Sequence, residues 1–207
     1  MLQRTDDWFK MRQGRFTASQ IHRLLGKDTL QRTKDSISNY AFEKAVESIY
    51  GHLEEDFVSY DMQRGIDLEP LAFNRFKALK EFDFIDVQKC VFFPLGSHAG
   101  ASPDGLVGKN AILEIKCPKR HKFFKIVANG ESEIDSQYIA QMQMQMLCTN
   151  SEKAYFFNYY IEDGIEFWHE IIINRDEEMI DLIKQRIKQA SEIKLDFIEK
   201  INNNKQF

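Results

Sequence analysis

The chain holds three cysteines in 207 residues, Cys90, Cys117 and Cys148, and no Cys-x-x-Cys pair. An odd, scattered set excludes a disulfide framework and a thiolate zinc site, and it falls short of the four thiolates of an ordinary iron–sulfur cluster. No stretch approaches the roughly 18 apolar residues of a membrane span. The start, Met1-Leu2-Gln3-Arg4-Thr5-Asp6-Asp7, lacks the apolar core of a signal peptide. These absences lead us to expect a cytosolic protein with no membrane partner. A basic excess is missing too, since the net charge is −4. The charge is unevenly spread, however. Residues 1–34 carry eight Lys/Arg against three acids, and residues 116–125 carry Lys116, Lys119, Arg120, Lys122, Lys125 and His121 with no acid. A phosphate backbone needs a local positive groove rather than a basic protein overall. The bland reading, solvated helix faces, stands beside that one.

What is present is enough for one domain with a proper core, as 43% of the residues are hydrophobic and 13% aromatic. The most informative stretch runs from Ser102-Pro103-Asp104-Gly105 to Glu114-Ile115-Lys116-Cys117-Pro118. Two β-rich runs flank Gly108-Lys109-Asn110, which reads as a hairpin turn. Residues i and i+2 of a strand share a face, so Glu114 and Lys116 project together, and the hairpin brings Asp104 back beside them. Two carboxylates and an ammonium at a strand end suit a hard divalent cation and an activated water. The alternative is an exposed hairpin with a surface ion pair. The apolar positions around Lys116 (Ile112, Leu113, Ile115 and Cys117) argue for a lysine that is paired or functional, because burying an unpaired ammonium is costly.

Along the rest of the chain, Thr5-Asp6-Asp7 can cap a short helix carrying Trp8, Phe9 and Met11 and ending at Gly14. Thr17 or Ser19 caps a second. Helices are expected over 36–50 and 59–80, the latter broken near Glu69-Pro70, where Glu69 falls unusually close to an apolar stripe. Strands follow over 84–87, 90–94 and 98–102, then the hairpin, then a basic helix over 119–128. A helix over 135–148, capped by Asp135 or Ser136, places Tyr138, Gln141 and Gln145 on one face and packs Met142, Met146 and Leu147 in the core. Strands over 154–161 and 165–173 and a helix over 176–201 complete the chain. The expected class is α/β: a single domain, residues 1–207, with a central mixed sheet flanked by helices.

The motifs occur in a definite order. Trp8-x3-Arg12-x-Gly14 precedes Thr17-Ala18-Ser19, then Gly65-x3-Glu69, Ser102-Pro103-Asp104-Gly105, Glu114-x-Lys116-Cys117-Pro118 and Tyr138-x-Ala140-Gln141-x-Gln143. Ala154-Tyr155-Phe156-Phe157-Asn158-Tyr159 and Asn174-Arg175-Asp176-Glu177 close the set. This ordered set resembles the bacteriophage lambda exonuclease family, the YqaJ-like viral recombinases, within the PD-(D/E)xK nuclease superfamily with its restriction-endonuclease-like core. The resemblance runs from Trp8 to about Glu177. It implies a Mg2+-dependent enzyme, with Mn2+ able to substitute and two ions per site, that digests the 5′-terminated strand of duplex DNA from its end. A 3′ single strand would be left for a single-strand annealing protein, and the subunits would form a homotrimeric ring in a bacterial host, encoded by phage or prophage. On the resemblance, Asp104, Glu114, Glu69 and the backbone carbonyl of Ile115 would hold metal. Lys116 would orient or deprotonate the attacking water, with Gln141 lining the site. Arg12, Ser19 and Ser102 would bind the terminal 5′-phosphate, with Lys122 where an arginine is expected, which removes a bidentate clamp but keeps the charge. The competing readings are an endonuclease or junction resolvase of the same superfamily, a non-catalytic DNA-end-binding protein, and a structural metal-binding domain.

Overall fold

The computed structural model describes residues 5–26, 31–51 and 59–204, with side chains omitted for 31–33. Arg4, Lys27, Asp28 and the Arg32 side chain, part of the N-terminal charge bias, lie outside the described residues.

Helix α1 (Asp6–Arg12) opens as its sequence dictates. Thr5 Oγ1 accepts from the Trp8 N–H, and Gly14 leaves the helix at φ +67°. Next come a two-residue strand β1 (Phe16–Thr17) and a 3-10 helix (Ala18–Leu24). The expected Thr17 or Ser19 cap is corrected here: Thr17 holds the N-cap position, but its side chain caps no backbone N–H of the helix, and its hydroxyl meets Ser19 Oγ at 3.4 Å instead. Helix α2 (Gln31–Tyr50) starts earlier than its apolar periodicity indicates.

Helix α3 (Tyr60–Phe82) is capped by Ser59 and runs unbroken through Pro70. The expected break is therefore absent. Pro70 is exposed and withholds one N–H, while Ala72, Phe73 and Phe76 bury the face beyond it and hold the helix on course. Phe76 stacks edge-on against Tyr155 and Phe157, with centroids 5.6 and 5.1 Å away.

The strands form two sheets rather than one. In the larger the order is β2 (Val87–Lys89), β5 (Gly105–Val107), β6 (Ala111–Lys116), β7 (Lys153–Glu162), β8 (Ile165–Asn174). Only the β6–β7 pair is parallel. The smaller sheet sets β4 (Ala99–Ala101) between β1, parallel, and β3 (Phe93–Leu95), antiparallel. Strand 84–87 is corrected to 87–89, because Phe84 sits in a turn at φ +56°, and 90–94 becomes 93–95.

Helix α3 covers one face of the large sheet with Leu113, Ile115, Tyr155 and Phe157 beneath it. The other face carries α4 (Arg120–Asn129) and α5 (Ser136–Thr149). There Met142 and Met146 pack on Ile112, Phe156 and Ile173. A parallel pair needs a crossover, and α4 with α5 supplies it, which lays α5 across the Glu114 face of β6. Helix α6 (Glu177–Asn203), capped by Asp176, closes a third cluster with α2 and the small sheet.

Candidate active site

The hairpin is formed as its sequence requires. Gly108 takes φ +59° at the turn, and Gly105, Leu106 and Val107 pair with Leu113, Ile112 and Ala111. The glycine of Ser-Pro-Asp-Gly serves packing rather than turning. A Cβ on Gly105 would come 3.1 Å from the Gln88 carbonyl and 3.2 Å from the Phe73 ring. Asp104 precedes it, with its backbone N–H on the Leu113 carbonyl at 3.0 Å and its Oδ2 accepting from the Ile115 N–H at 2.7 Å. That bond locks the carboxylate beside β6.

Glu114 is 1% exposed, so its charge needs partners. It has three. Oε1 receives Lys116 Nζ at 2.6 Å and Gln141 Nε2 at 2.7 Å, while Oε2 receives Gln145 Nε2 at 2.6 Å. Tyr138 lies over Lys116, its ring centroid 4.4 Å from Nζ. The Tyr138, Gln141 and Gln145 face of α5 therefore meets the hairpin. Gln145 was legible as a member of that face, but its grip on Glu114 was not. It depends on where the crossover lays α5, which no local spacing encodes.

The electrostatics are those of crowded anions. Burial pushes the Asp104 carboxyl well above the ordinary value, and the charges of Glu114 and Glu69 push it further, against Lys116 and the Ile115 N–H. Burial opposes the Lys116 charge, but Glu114 and Asp104 outweigh it and hold the ammonium above its ordinary value. With protein groups alone around it, Lys116 is thus kept protonated. All three thiols are pushed up to about 12, chiefly by burial, so none offers a ready thiolate.

Among the described residues no three His, Cys, Asp or Glu side chains form a metal-holding group by themselves. Asp104 and Glu114, with the carbonyl of Ile115 next to Glu114 in sequence, are nevertheless a donor set of hard oxygens suited to Mg2+. Anionic crowding that raises the Asp104 carboxyl is the field a dication relieves. Glu69, half-buried on α3, lies within electrostatic reach of Asp104.

The four residues assigned to a terminal phosphate fall into two places. Arg12 and Ser19 line a cavity of about 460 Å3, together with Trp8, Arg23 and Lys44. Arg12 packs on Trp8 at 4.0 Å, and the Trp8 indole N–H donates to Ser102 Oγ at 2.9 Å, tying Ser102 to that cavity. Lys122 is not brought to them. It lines a neighbouring cavity of about 490 Å3 with Arg64, Lys116 and Lys119, and bonds the Glu133 carbonyl at 2.9 Å and Asp135 at 3.0 Å. That bond uses the Asp135 carboxylate, which makes no side-chain cap to α5. Met62 lines both cavities.

The basic run also changes character in three dimensions. Lys119 pairs with Asp61, Arg120 with Glu162, Lys122 with Asp135 and Lys125 with Glu133, at 2.8–3.1 Å. Acids distant in sequence supply what the run lacks. Exposed pairs of this kind are worth at most about 1 kcal/mol each, so a phosphate can displace them.

A fold that carries Asp104, Glu114 and Lys116 on one hairpin, backed by α5, defines a protein of the PD-(D/E)xK class. The chain belongs to the YqaJ-like viral recombinase domain family, which matches residues 7–152. Its structure is similar to that of an alkaline exonuclease from Laribacter hongkongensis, LHK-Exo, with 28% identity, a TM-score of 0.80, and coverage of 96% of this chain and 97% of that one. The same values hold for LHK-Exo in complex with dAMP. A phage-related exonuclease from Haemophilus somnus, 18% identical with a TM-score of 0.70, shares the fold and covers 93% of this chain and 99% of that one. Comparison with curated proteins found no match. No helix among the described residues is long and apolar enough to cross a membrane.

Proposed function

We propose that the chain is a Mg2+-dependent exonuclease that hydrolyses the 5′-terminated strand of duplex DNA from its end, leaving a 3′ overhang for an annealing protein. The observation that carries this reading is the saturated Glu114. A buried carboxylate held by Lys116, Gln141 and Gln145 beside an anion-crowded Asp104 makes a preorganised hydrolytic centre. The names of the two LHK-Exo structures, an alkaline exonuclease and its dAMP complex, support an exonuclease and a deoxynucleotide product.

A phosphodiester resists attack because its own charge repels a nucleophile. A bound divalent cation would offset that charge and acidify a water. Asp104, Glu114 and the Ile115 carbonyl would hold the cation, with Glu69 completing the set. Lys116 would orient the attacking water as an ammonium, or take its proton once a bound cation beside it has driven off the ammonium's own proton to solvent, while Gln141 and Gln145 keep Glu114 in place. Arg12, Ser19 and Ser102 would receive the terminal 5′-phosphate, with Lys122 contributing charge from the adjoining cavity. A closed trimer around the duplex would make digestion processive.

The deciding experiment is incubation of linear duplex with Mg2+, following which strand shortens and from which end. Closed circular duplex is the control, because cutting it would favour an endonuclease or junction resolvase, and binding of ends without cleavage would favour a non-catalytic end-binding protein. A 5′-phosphorylated end should be cut faster than a 5′-hydroxyl end, by at least ~10-fold for the loss of charge-assisted bonds. Equal rates would remove Arg12, Ser19 and Ser102 from the phosphate pocket.

A further inference from the structure

Asn158 lies in the middle of β7 and is 0% exposed, yet neither its Nδ2 nor its Oδ1 has a hydrogen-bond partner. Among the described residues it is the one buried carboxamide with both polar atoms unpartnered. Buried polar groups are nearly always satisfied, and a native exception calls for an explanation. Sequence placed Asn158 in an apolar strand and assigned it no role, and leucine or valine would pack there without this penalty.

Its neighbourhood supplies the explanation. In the parallel β6–β7 register Asn158 is the partner of Lys116, and paired residues project to the same face. Both line the cavity of about 490 Å3 beside Tyr138 and Lys122. Lys116 Nζ is parked on Glu114 Oε1 at 2.6 Å, an oxygen it shares with Gln141 Nε2. An amine parked there points at Glu114 and away from any water it would activate. Once Glu114 is engaged by another group, Lys116 needs a second acceptor, and the unpartnered buried oxygen on the adjacent strand is Asn158 Oδ1.

We propose that Asn158 is a positioning residue: its Oδ1 accepts from Lys116 Nζ when Lys116 leaves Glu114, and so fixes where the amine points during hydrolysis. The inference rests on the nuclease reading of the site. It explains why an orphaned acceptor is kept in the floor of this cavity, since Asn158 Oδ1 is unsatisfied in the resting site and satisfied in the working one.

The test uses full-length protein with Asn158→Leu, nearly isosteric and without polar atoms, and Asn158→Thr, which keeps one acceptor. Melting is measured without metal, and kcat and KM on linear duplex with Mg2+. No resting hydrogen bond is lost, so Asn158→Leu should melt at or above the wild-type temperature, by up to ~2–4 °C. Its kcat should fall at least ~10-fold with KM within ~2-fold, the signature of a contact made only beyond the ground state. Asn158→Thr should recover part of kcat. Wild-type kcat in Asn158→Leu overturns the inference and leaves the nuclease reading intact. Lowered melting temperatures in both variants also overturn it, because they mark Asn158 as structural. Absence of cleavage by the wild-type protein removes the nuclease reading and this inference together.

Discussion

Lys116→Ala should lower cleavage of linear duplex by ~10^2–10^4-fold, the range for a lost general base, while duplex binding measured in EDTA stays within a few-fold. The asymmetry comes from how Glu114 is held. Without Lys116, Gln141 and Gln145 still donate to both carboxylate oxygens, at 2.7 and 2.6 Å. The hairpin register and the α5 packing are likewise untouched, so the proposed DNA-binding surface keeps its shape. What disappears is the only cation in contact with Glu114 among the described residues. Unchanged turnover in a gel assay would remove Lys116 from the chemistry. A collapse of binding and turnover together would assign it to the phosphate backbone instead.

The second large effect concerns Asp104→Asn. Its carboxyl lies well above the ordinary value through burial and the charges of Glu114 and Glu69. The native state therefore binds this proton more tightly than the unfolded chain. That contribution is fully present below the ordinary carboxylate value and is lost as pH rises through the raised one. At neutral pH without metal, keeping Asp104 in this site costs stability, because the unfolded chain holds its carboxylate ionised in water at no such cost. Asparagine relieves it and keeps an oxygen for the Ile115 N–H. Asp104→Asn should raise the melting temperature at pH 7–8 by roughly 2–4 °C, about 1 kcal/mol, and the difference should vanish in acid. The same substitution should abolish cleavage, because the proposed cation site loses an anionic ligand. Added Mg2+ should stabilise the wild-type protein and not the variant. A variant less stable than wild type at neutral pH would contradict the crowded-anion account.

Much of this site could be read from the chain because its determinants are local. Spacing i, i+2 puts Glu114 and Lys116 on one face, Gly108 permits the turn, and Thr5, Ser59 and Asp176 cap their helices through their own side chains. What escaped was non-local. The parallel pairing of β6 with β7 joins residues across two helices, and only that register sets Asn158 beside Lys116. The two-residue strand β1 has no periodicity to detect and exists because β4 offers it an edge. The acids that neutralise residues 119–125 come from α3, the turn before α5 and the β7–β8 hairpin. Pro70 reads locally as a breaker, yet the buried aromatic ring of Phe76 outweighs one absent backbone bond. Truncating such a ring costs about 3–5 kcal/mol.

The contact between Trp8 and Ser102 has a practical corollary. The chain has two tryptophans. One donates its indole N–H to the residue two places before Asp104 and lies beneath Arg12. The other, Trp168, stands on the outer strand β8 under Arg75. Intrinsic emission should therefore carry a component coupled to the proposed reaction centre and one remote from it. An optical reporter of occupancy is built into the chain, with its own internal reference.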